Sequence, residues 1–424
     1  MDKFSKFLEE KLMPFGEKIE KNRVLIVIRM SMMPTIPFVI SGSMVLIILN
    51  FPYISEWIPS AIMGEFKSIL LPIFNATMTI IALFISFLVG YNYMSLKGDK
   101  EKAVFSGLTT MSAFILVSPQ SVVVNEVLIE GVIPTNLMGA QGMFVALLFS
   151  YIIAVVFSKL ITSKLVIKMP SSVPPMVSNT FSSLIPLMLS LFFAALVNYL
   201  FSLTEYSNIH AFVSEIVQKP LMAIGTGLPA LLISQFLIQL LWFFGLHGDQ
   251  IVGTILEPIL TTAGMENLTS YNKGDALPYI ITQQFASLFV VIAFISLVLA
   301  IVIVGKSSRM KQMGKLTLVP AMFNISEPLV FGLPVVMNVM LFIPWVLVRP
   351  VFSLITWLFM KTGLCPAPTG VALPWTTPPI LSGFLATNSI MGSIVQLICL
   401  AVGVLMFIPF VKMLDKSYVE EEKI

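Results

Sequence analysis

Several apolar runs in this 424-residue chain are long enough to cross a lipid bilayer as helices, and they constrain the fold more than any other feature. A helix needs about 18–20 predominantly apolar residues to span the hydrocarbon core. Hydrophobic residues make up 57% of the chain and charged residues only 11%, which is outside the usual composition of a soluble domain. The short alternating segments of a transmembrane barrel do not dominate. The sequence therefore predicts an all-α polytopic membrane protein.

Lysine and arginine residues are clustered in short islands rather than spread along the chain. They are absent from residues 103–158, 169–218, 220–272 and 316–348. Such islands mark the cytoplasmic flanks of membrane helices, whereas a nucleic-acid-binding protein would present one broad basic face. We therefore expect a multi-pass protein with both termini in the cytoplasm and no nucleic-acid partner.

The apolar runs and the charge pattern together predict about ten transmembrane helices. Nine runs are read directly, over residues 24–49, 70–91, 103–117, 143–156, 184–203, 221–244, 277–304, 334–360 and 382–410. The charge pattern requires an odd number of crossings within 245–276, where no ordinary transmembrane helix fits, so we expect a re-entrant hairpin with a short crossing there. A second re-entrant hairpin is expected over 317–331. Five prolines within 363–379 exclude a spanning helix from that stretch.

These segments group into five regions. We predict an interfacial amphipathic helix over 1–22, a transmembrane block over 23–168, and a connector with the fifth span and an external segment over 169–220. A substrate-binding transmembrane domain over 221–416 and a cytoplasmic tail over 417–424 follow. No cleavable signal is expected, because a long charged leader precedes the first apolar run. Cys365 and Cys399 are predicted to be apolar fillers, since their spacing suits neither a disulfide framework nor a metal site.

The stretch WFFGLHGDQ at 242–250 interrupts apolar sequence with a histidine, an aspartate and two glycines. Lipid offers polar groups no partners, so such sequence is tolerated at membrane depth only where it is buried in protein or lines a wet cavity. Gly245 and Gly248 allow the backbone to break beside a ligand, and Trp242 offers a flat face on which a sugar ring could stack. The alternative for His247 is a buried imidazole that ties two helix ends together.

The stretch NISEPLVF at 324–331 is the second interruption, and Glu327 is the only charged residue between Lys315 and Arg349. Pro328 disfavours helix at the residue before it, so we expect Glu327 in a non-helical turn. A carboxylate in an apolar run marks a functional site unless it is internally paired. The structural alternative is an ion pair with Arg349 or a hydrogen bond to Asn338.

Further candidates for substrate binding are the amides of Asn179, Gln250 and Asn324 and the indole of Trp375. These groups suit a neutral hydroxylated ligand, but each could equally join two helices. His210 lies in the polar segment SNIHAF and is predicted to be interfacial rather than a metal ligand. With only two histidines and no suitable spacing, the sequence predicts no metal site.

The basic amphipathic leader, WFFGLHGDQ at 242–250 and FNISEPLVFGLPVVMN at 323–338 together resemble the membrane-embedded enzyme IIC of the bacterial phosphotransferase system, in its lactose/cellobiose/chitobiose branch. The resemblance covers essentially the whole chain. Members commonly have asparagine where Ser326 stands and proline where Val339 stands. The resemblance implies ten transmembrane helices, a homodimer built largely by the N-terminal spans, two re-entrant hairpins and a location in the bacterial inner membrane.

The resemblance also implies a function. A β-linked disaccharide of the cellobiose or chitobiose type would be carried across the bilayer and phosphorylated at its C6 hydroxyl, without a cofactor. The donor would be a phosphocysteine on a separate soluble IIB protein, charged through IIA and the histidine carrier protein. His247 and Glu327 would act near the reacting hydroxyl, with Trp242, Gln250, Asn179 and Trp375 around the sugars. The competing interpretation is a proton-coupled secondary transporter in which Glu327 and His247 take up a proton.

Overall fold

The structure, a computed structural model, describes residues 21–50, 59–124, 127–170, 172–333 and 335–422. The amphipathic helix predicted over 1–22 therefore lies almost entirely outside the described residues. The described residues fall into two compact units. The first comprises the part up to Val45 together with Glu65–Leu221, and the second comprises Leu46–Gly64 together with the part from Met222 onward.

Between Arg23 and Gly225 the described residues are mainly helical, with one hairpin. Its helices are α1 (Arg23–Met32), α2 (Ile36–Asn50), α3 (Ser60–Thr77), α4 (Ile81–Leu96), α5 (Lys100–Leu116), α6 (Thr135–Met138), α7 (Met143–Ile161), α8 (Pro175–Ser202), α9 (Ile209–Val213) and α10 (Lys219–Gly225). The side chain of Asp99 caps α5 by accepting from the Lys102 N–H at 3.2 Å, which satisfies one of the free donors at the helix start.

Helices α4 and α5 pack closely because small residues line their contact. A Cβ atom at Gly90 would clash with the Ser106 carbonyl oxygen and the Thr110 hydroxyl. The Thr110 hydroxyl donates to the Ser86 carbonyl at 2.7 Å across the same contact. Small residues of this kind let helix backbones approach where lipid provides no hydrophobic driving force.

A two-stranded antiparallel sheet, β1 (Ser121–Val124) and β2 (Val127–Glu130), departs from the all-helical expectation. Its register pairs Ser121 with Glu130 and Val122 with Ile129. No regular element was predicted between the spans at 103–117 and 143–156, where this hairpin lies. The run of valines there favours extended backbone, which accounts for the short hairpin.

The second unit contains longer irregular connections between its helices. These helices are α11 (Leu228–Phe243), α12 (Gly248–Lys273), α13 (Ile295–Val304), α14 (Ser308–Met322), α15 (Glu327–Gly332), α16 (Val339–Lys361), α17 (Leu381–Thr387) and α18 (Ile390–Glu421). A π-helical segment (Phe285–Val290) and a 3-10 helix (Val291–Phe294) precede α13. The stretch 363–379 contains no helix, as its five prolines predict.

Seven helical segments of the described residues are long and apolar enough to cross a membrane. The number rises to eight when Ile209–Gly225 and Leu228–Phe243, which bend by 67° at their junction, count as one broken span. These segments confirm a helical, multi-pass membrane protein, while the count of ten crossings stays a prediction.

The structure differs from the sequence-based expectation at two places in the second unit. Residues 248–273 form one continuous helix of 26 residues rather than a re-entrant element followed by a short crossing. Polar side chains of this helix have partners elsewhere in the unit, as Asn267 shows by donating to the Pro368 carbonyl at 2.8 Å. The break lies earlier, between Gly225 and Leu228, where the sequence analysis expected one uninterrupted span over 221–244.

Candidate functional site

The first interruption is a tight turn between α11 and α12. Gly245 has a φ of 78°, a conformation that favours glycine because it lacks a Cβ. His247 caps the start of α12, and its Nδ1 atom accepts from the Gln250 N–H at 3.3 Å. The side chains of His247 and Gln250 are exposed, so both are accessible to a ligand. The turn therefore presents the histidine at a helix N-terminus, as its flanking glycines predict.

The Trp242 side chain is buried and contacts the His247 imidazole. Its side chain is only 5% exposed, and the centroid of its ring lies 4.4 Å from that of the His247 imidazole, with 47° between the planes. The indole N–H donates to Oδ2 of Asp249 at 2.7 Å. Trp242 thus packs against the imidazole, and its role in substrate binding stays a prediction.

Asp249 is also paired with a cation from α16. Nη1 of Arg349 donates to Oδ1 of Asp249 at 2.6 Å, and Nη2 donates to Oδ2 at 3.2 Å. Such two-bond guanidinium–carboxylate pairs are strong and fix the geometry of both groups. The pair places a carboxylate and a guanidinium next to His247 with no net charge, which suits a neutral ligand.

The second interruption is the turn between α14 and α15. Asn324 takes up a left-handed conformation with φ of 60°, and its side chain is 3% exposed. Its amide donates to the carbonyls of Trp375 at 2.6 Å and Thr377 at 3.0 Å. Asn324 therefore bonds to the backbone of the proline-rich loop, residues 363–379. These bonds bring the side chain of Trp375, which is 53% exposed, close to the turn.

The backbone of Glu327 corrects one expectation. Glu327 is the first residue of α15, with Pro328 following in the first turn, so it is not in a non-helical turn. Proline is tolerated there because the first N–H groups of a helix have no partner within the helix. The side chain of Glu327 lies outside the described part. Of the two alternative partners considered for it, Arg349 pairs with Asp249, and Asn338 accepts from the Met340 N–H at 3.1 Å as the cap of α16.

The two interruptions are joined through their backbones. The Met337 N–H donates to the Phe243 carbonyl at 2.9 Å, immediately before the glycine turn. A Cβ built on Gly245 would lie 3.4 Å from Cγ1 of Val336. Together with the contact from Asn324 to the proline-rich loop, these contacts connect residues 242–250, 324–338 and 374–377 within the second unit.

The base of the proline-rich loop is fixed by buried amides. Asn267 donates to the carbonyls of Tyr279 at 2.7 Å and Pro368 at 2.8 Å. Gln284 donates to the Gly370 carbonyl at 2.9 Å, and Gly370 approaches the backbone of Gly264 so closely that a Cβ would not fit. The loop that carries Trp375 is therefore held at 368–370 by these amides and at 375–377 by Asn324.

Two residues named in the sequence analysis belong to the first unit. The amide of Asn179 donates to Oε2 of Glu101 at 2.6 Å, so its role in substrate binding stays a prediction. His210 is 5% exposed, and its Nε2 atom lies 2.9 Å from the Ser118 hydroxyl, which makes it a packed residue rather than an interfacial one. Among the described residues, no group of three or more His, Cys, Asp or Glu side chains could hold a metal ion.

Comparison with known proteins identifies the family. Residues 29–348 match the family described as "Phosphotransferase system, EIIC". The chain belongs to this EIIC family. An oligo-beta-mannoside-specific EIIC component of Bacillus subtilis is 38% identical, over 100% of this chain and 96% of its own length. A cellobiose-specific EIIC component of Geobacillus stearothermophilus is 35% identical, over 100% of this chain and 97% of its own.

A solved EIIC structure has the same fold. It is the transporter ChbC, the IIC component from the N,N'-diacetylchitobiose-specific phosphotransferase system, and it matches with a TM-score of 0.93 at 34% identity. The match covers 98% of this chain and 99% of that chain. The sequence-based resemblance to the phosphotransferase system is thus confirmed.

Sequence reasoning missed Asp249 and Arg349 as members of this EIIC site. One signal was available, since Arg349 ends a stretch of 33 residues, 316–348, that contains no lysine or arginine. A charged side chain inside a membrane protein is expected to have a partner. The sequence offered Glu327 as a partner only in the structural alternative, whereas the structure pairs Arg349 with a residue 100 positions away.

Proposed function

We propose that this EIIC chain takes up a β-linked disaccharide and presents its C6 hydroxyl to a phosphocysteine on a IIB protein. The observation that carries the proposal is the connection of residues 242–250, 324–338 and 374–377 in one unit. Relatives named for oligo-β-mannosides and cellobiose, and a structural match named for diacetylchitobiose, support a β-linked sugar. Cellobiose-type β-glucosides are the first substrates to test.

The chemistry is a phosphoryl transfer from sulfur to oxygen. The P–S bond to the IIB cysteine breaks, an O–P bond forms at the sugar C6 oxygen, and the hydroxyl proton leaves. We assign Glu327 as the acceptor of that proton, because a positioned carboxylate is a suitable general base. The permease contributes mainly by holding the hydroxyl in line with the incoming phosphorus.

His247 suits a complementary role as a hydrogen-bond donor. Its Nδ1 atom accepts from the Gln250 N–H, so the proton of the neutral ring is assigned to Nε2. An exposed Nε2–H can donate to a sugar oxygen, while Gln250 and Trp375 offer an exposed amide and an exposed indole for the remaining hydroxyls and ring faces. The upstream partners IIA and the histidine carrier protein, the homodimer and the inner-membrane location with cytoplasmic termini belong to the same proposal.

The experiment is uptake into vesicles containing the purified protein and phosphorylated IIB. We expect cellobiose to accumulate only with phospho-IIB, and mass spectrometry to identify the product as the C6 phosphate. Chitobiose, β-mannobiose and lactose supplied in parallel determine the preferred sugar. Accumulation of unmodified sugar on a pH gradient without phospho-IIB would instead favour the proton-coupled transporter and would overturn the proposal.

A further inference from the structure

The orientation of His247 depends on groups that do not themselves face a ligand. One face of its imidazole packs against Trp242, which is buried, and its Nδ1 atom accepts from the N–H of Gln250 at the start of α12. These two restraints leave Nε2 for a ligand. A rotation of the indole would therefore remove the surface against which the imidazole rests.

The indole is held by a single hydrogen bond at its one polar atom. Nε1 donates to Oδ2 of Asp249 at 2.7 Å, and indole has no other hydrogen-bonding group. Asp249 is itself held through both carboxylate oxygens by Arg349, whose side chain is 6% exposed. The order of contacts is therefore from Arg349 through Asp249 and Trp242 to His247.

An ion pair of this kind is a poor source of stability by itself. The Arg349 side chain is almost fully removed from water, whereas that of Asp249 is 35% exposed. Removing charge from water costs much of what the attraction returns, and apolar replacements are often equally stable. Burying polar groups can instead select one geometry among several similar ones. The guanidinium fork, unlike a lysine ammonium, fixes the plane of the carboxylate that it binds. The plane of the Asp249 carboxylate in turn determines the direction in which the Trp242 indole N–H must point to donate to Oδ2.

We propose that Asp249 and Arg349 are positioning residues, which act through Trp242 to hold the imidazole of His247 towards the sugar hydroxyl. The effect on transport rests on the proposed function of the site. The effect on the imidazole itself does not, because it concerns contacts within the second unit and is measurable without sugar.

The first experiment examines the imidazole directly. The chain contains only two histidines, so nitrogen NMR of the protein with isotope-labelled histidine resolves both. We expect His247 to show one tautomer with the proton on Nε2. In Asp249→Asn and in Trp242→Phe, which retains an aromatic ring but lacks the N–H, we expect signals averaged between tautomers. His210, in the first unit, serves as an internal control and should not change. Unchanged His247 signals in both variants would overturn the proposal whatever the protein transports.

The second experiment tests whether Asp249 acts through His247. Loss of a charge-assisted hydrogen bond should weaken binding of labelled cellobiose roughly tenfold in Asp249→Asn. In a His247→Ala background the same change should have no further effect, because the group being positioned is absent. If Asp249→Asn weakened cellobiose binding tenfold in the His247→Ala background as well, the proposal would be contradicted. Asp249 would then have a general structural role that does not act through His247.

A matched carboxylate controls for stability. Asp415 is 4% exposed and accepts from the N–H groups of Lys306 at 2.8 Å and Ser307 at 2.9 Å, at the start of α14. Asp415→Asn should lower thermal stability without changing the His247 signals. If wild-type protein binds no β-linked disaccharide, the proposed function fails, and the NMR result still decides whether Asp249 positions the histidine.

Discussion

In the first unit, α4 and α5 approach each other at Gly90, which packs against Ser106 and Thr110, whereas in the second unit α18 reaches its neighbours through the amide of Gln396. Continuous helices satisfy their own backbone groups, so their contacts require only space. Broken elements leave N–H and C=O groups without partners within the helix, and side chains must bond them. At these two contacts, the continuous helices meet through small residues, whereas the irregular backbone is bonded by a buried amide.

Backbone conformation follows the same division. Of the five described non-glycine residues with positive φ, only Ser207 lies in the first unit, while Asn324, Met337, Ile380 and Asn388 lie in the second. Residues in sparsely populated conformations concentrate at functional sites, where the surrounding structure holds them. This concentration agrees with a ligand site in the second unit, and four experiments test the comparison.

The largest effect is expected from Glu327→Gln at the start of α15. Loss of a general base should reduce phospho-IIB-dependent formation of sugar phosphate by about 10²–10⁴-fold. The matched control is Glu65→Gln, which removes an exposed carboxylate from α3 and should leave the rate unchanged. The measurement is the initial rate of phosphosugar formation in vesicles. A rate near the wild-type value would exclude Glu327 as the base.

The next effect is on the stability of the second unit. Gln396 is fully buried, and its amide accepts from the N–H groups of Ile380 and Gly383 and donates to the Leu288 carbonyl. Replacing it with leucine leaves three backbone groups without these partners, at a cost of about 3 kcal/mol or more. Thermal unfolding in detergent should show the loss.

The exposed Gln312 in α14 provides the matched control for this change. Gln312→Leu should alter stability by no more than about 0.5 kcal/mol, as expected for a surface position. Equal stability of the two leucine variants would mean that side-chain amides do not support the irregular backbone, and the contrast between the units would be lost.

A smaller loss is expected when space is removed from the first unit. Gly90→Ala forces a methyl group against the Ser106 carbonyl and should cost about 1–3 kcal/mol through overpacking. Gly64→Ala, in the part of α3 that belongs to the second unit, is the counterpart, because no atom of the described residues lies within 4 Å of its Cβ position. That change should be neutral or stabilising by up to about 1 kcal/mol, since alanine favours helix. Comparable melting temperatures for both variants would argue against close packing at Gly90.

The smallest effect concerns the irregular loop after α16. Burial raises the pKa of the Cys365 thiol to about 11. Thiolate is the reactive form, so at pH 8 only about one thiol in a thousand is ionised and maleimide should label it very slowly. Labelling should increase as the pH rises towards the pKa, and it should be complete after unfolding in detergent. Fast labelling of folded protein at pH 8 would show that this loop is less tightly packed than the helices.

The site was predictable from the sequence to different degrees. The turn at Gly245 and the exposed His247 follow from glycine and polar residues in an apolar run, which are local signals. The continuous helix Gly248–Lys273 was missed, because its Asp249 and Asn267 side chains have partners that are distant in sequence. The sequence predicted that Trp242 stacks on a sugar ring, but it does not show how exposed a side chain is. In the structure the Trp242 side chain is buried and contacts the His247 imidazole.

The sequence alone determined the membrane class, the positions of both polar interruptions and the EIIC resemblance, because hydropathy, charge and backbone preference are properties of neighbouring residues. Only the tertiary structure decided that Asp249 pairs with Arg349 and that Asn324 binds the backbone at Trp375. These partners lie 100 and 51 positions apart. Such pairs form where separate helices and loops meet, so their identity depends on packing that no local pattern records.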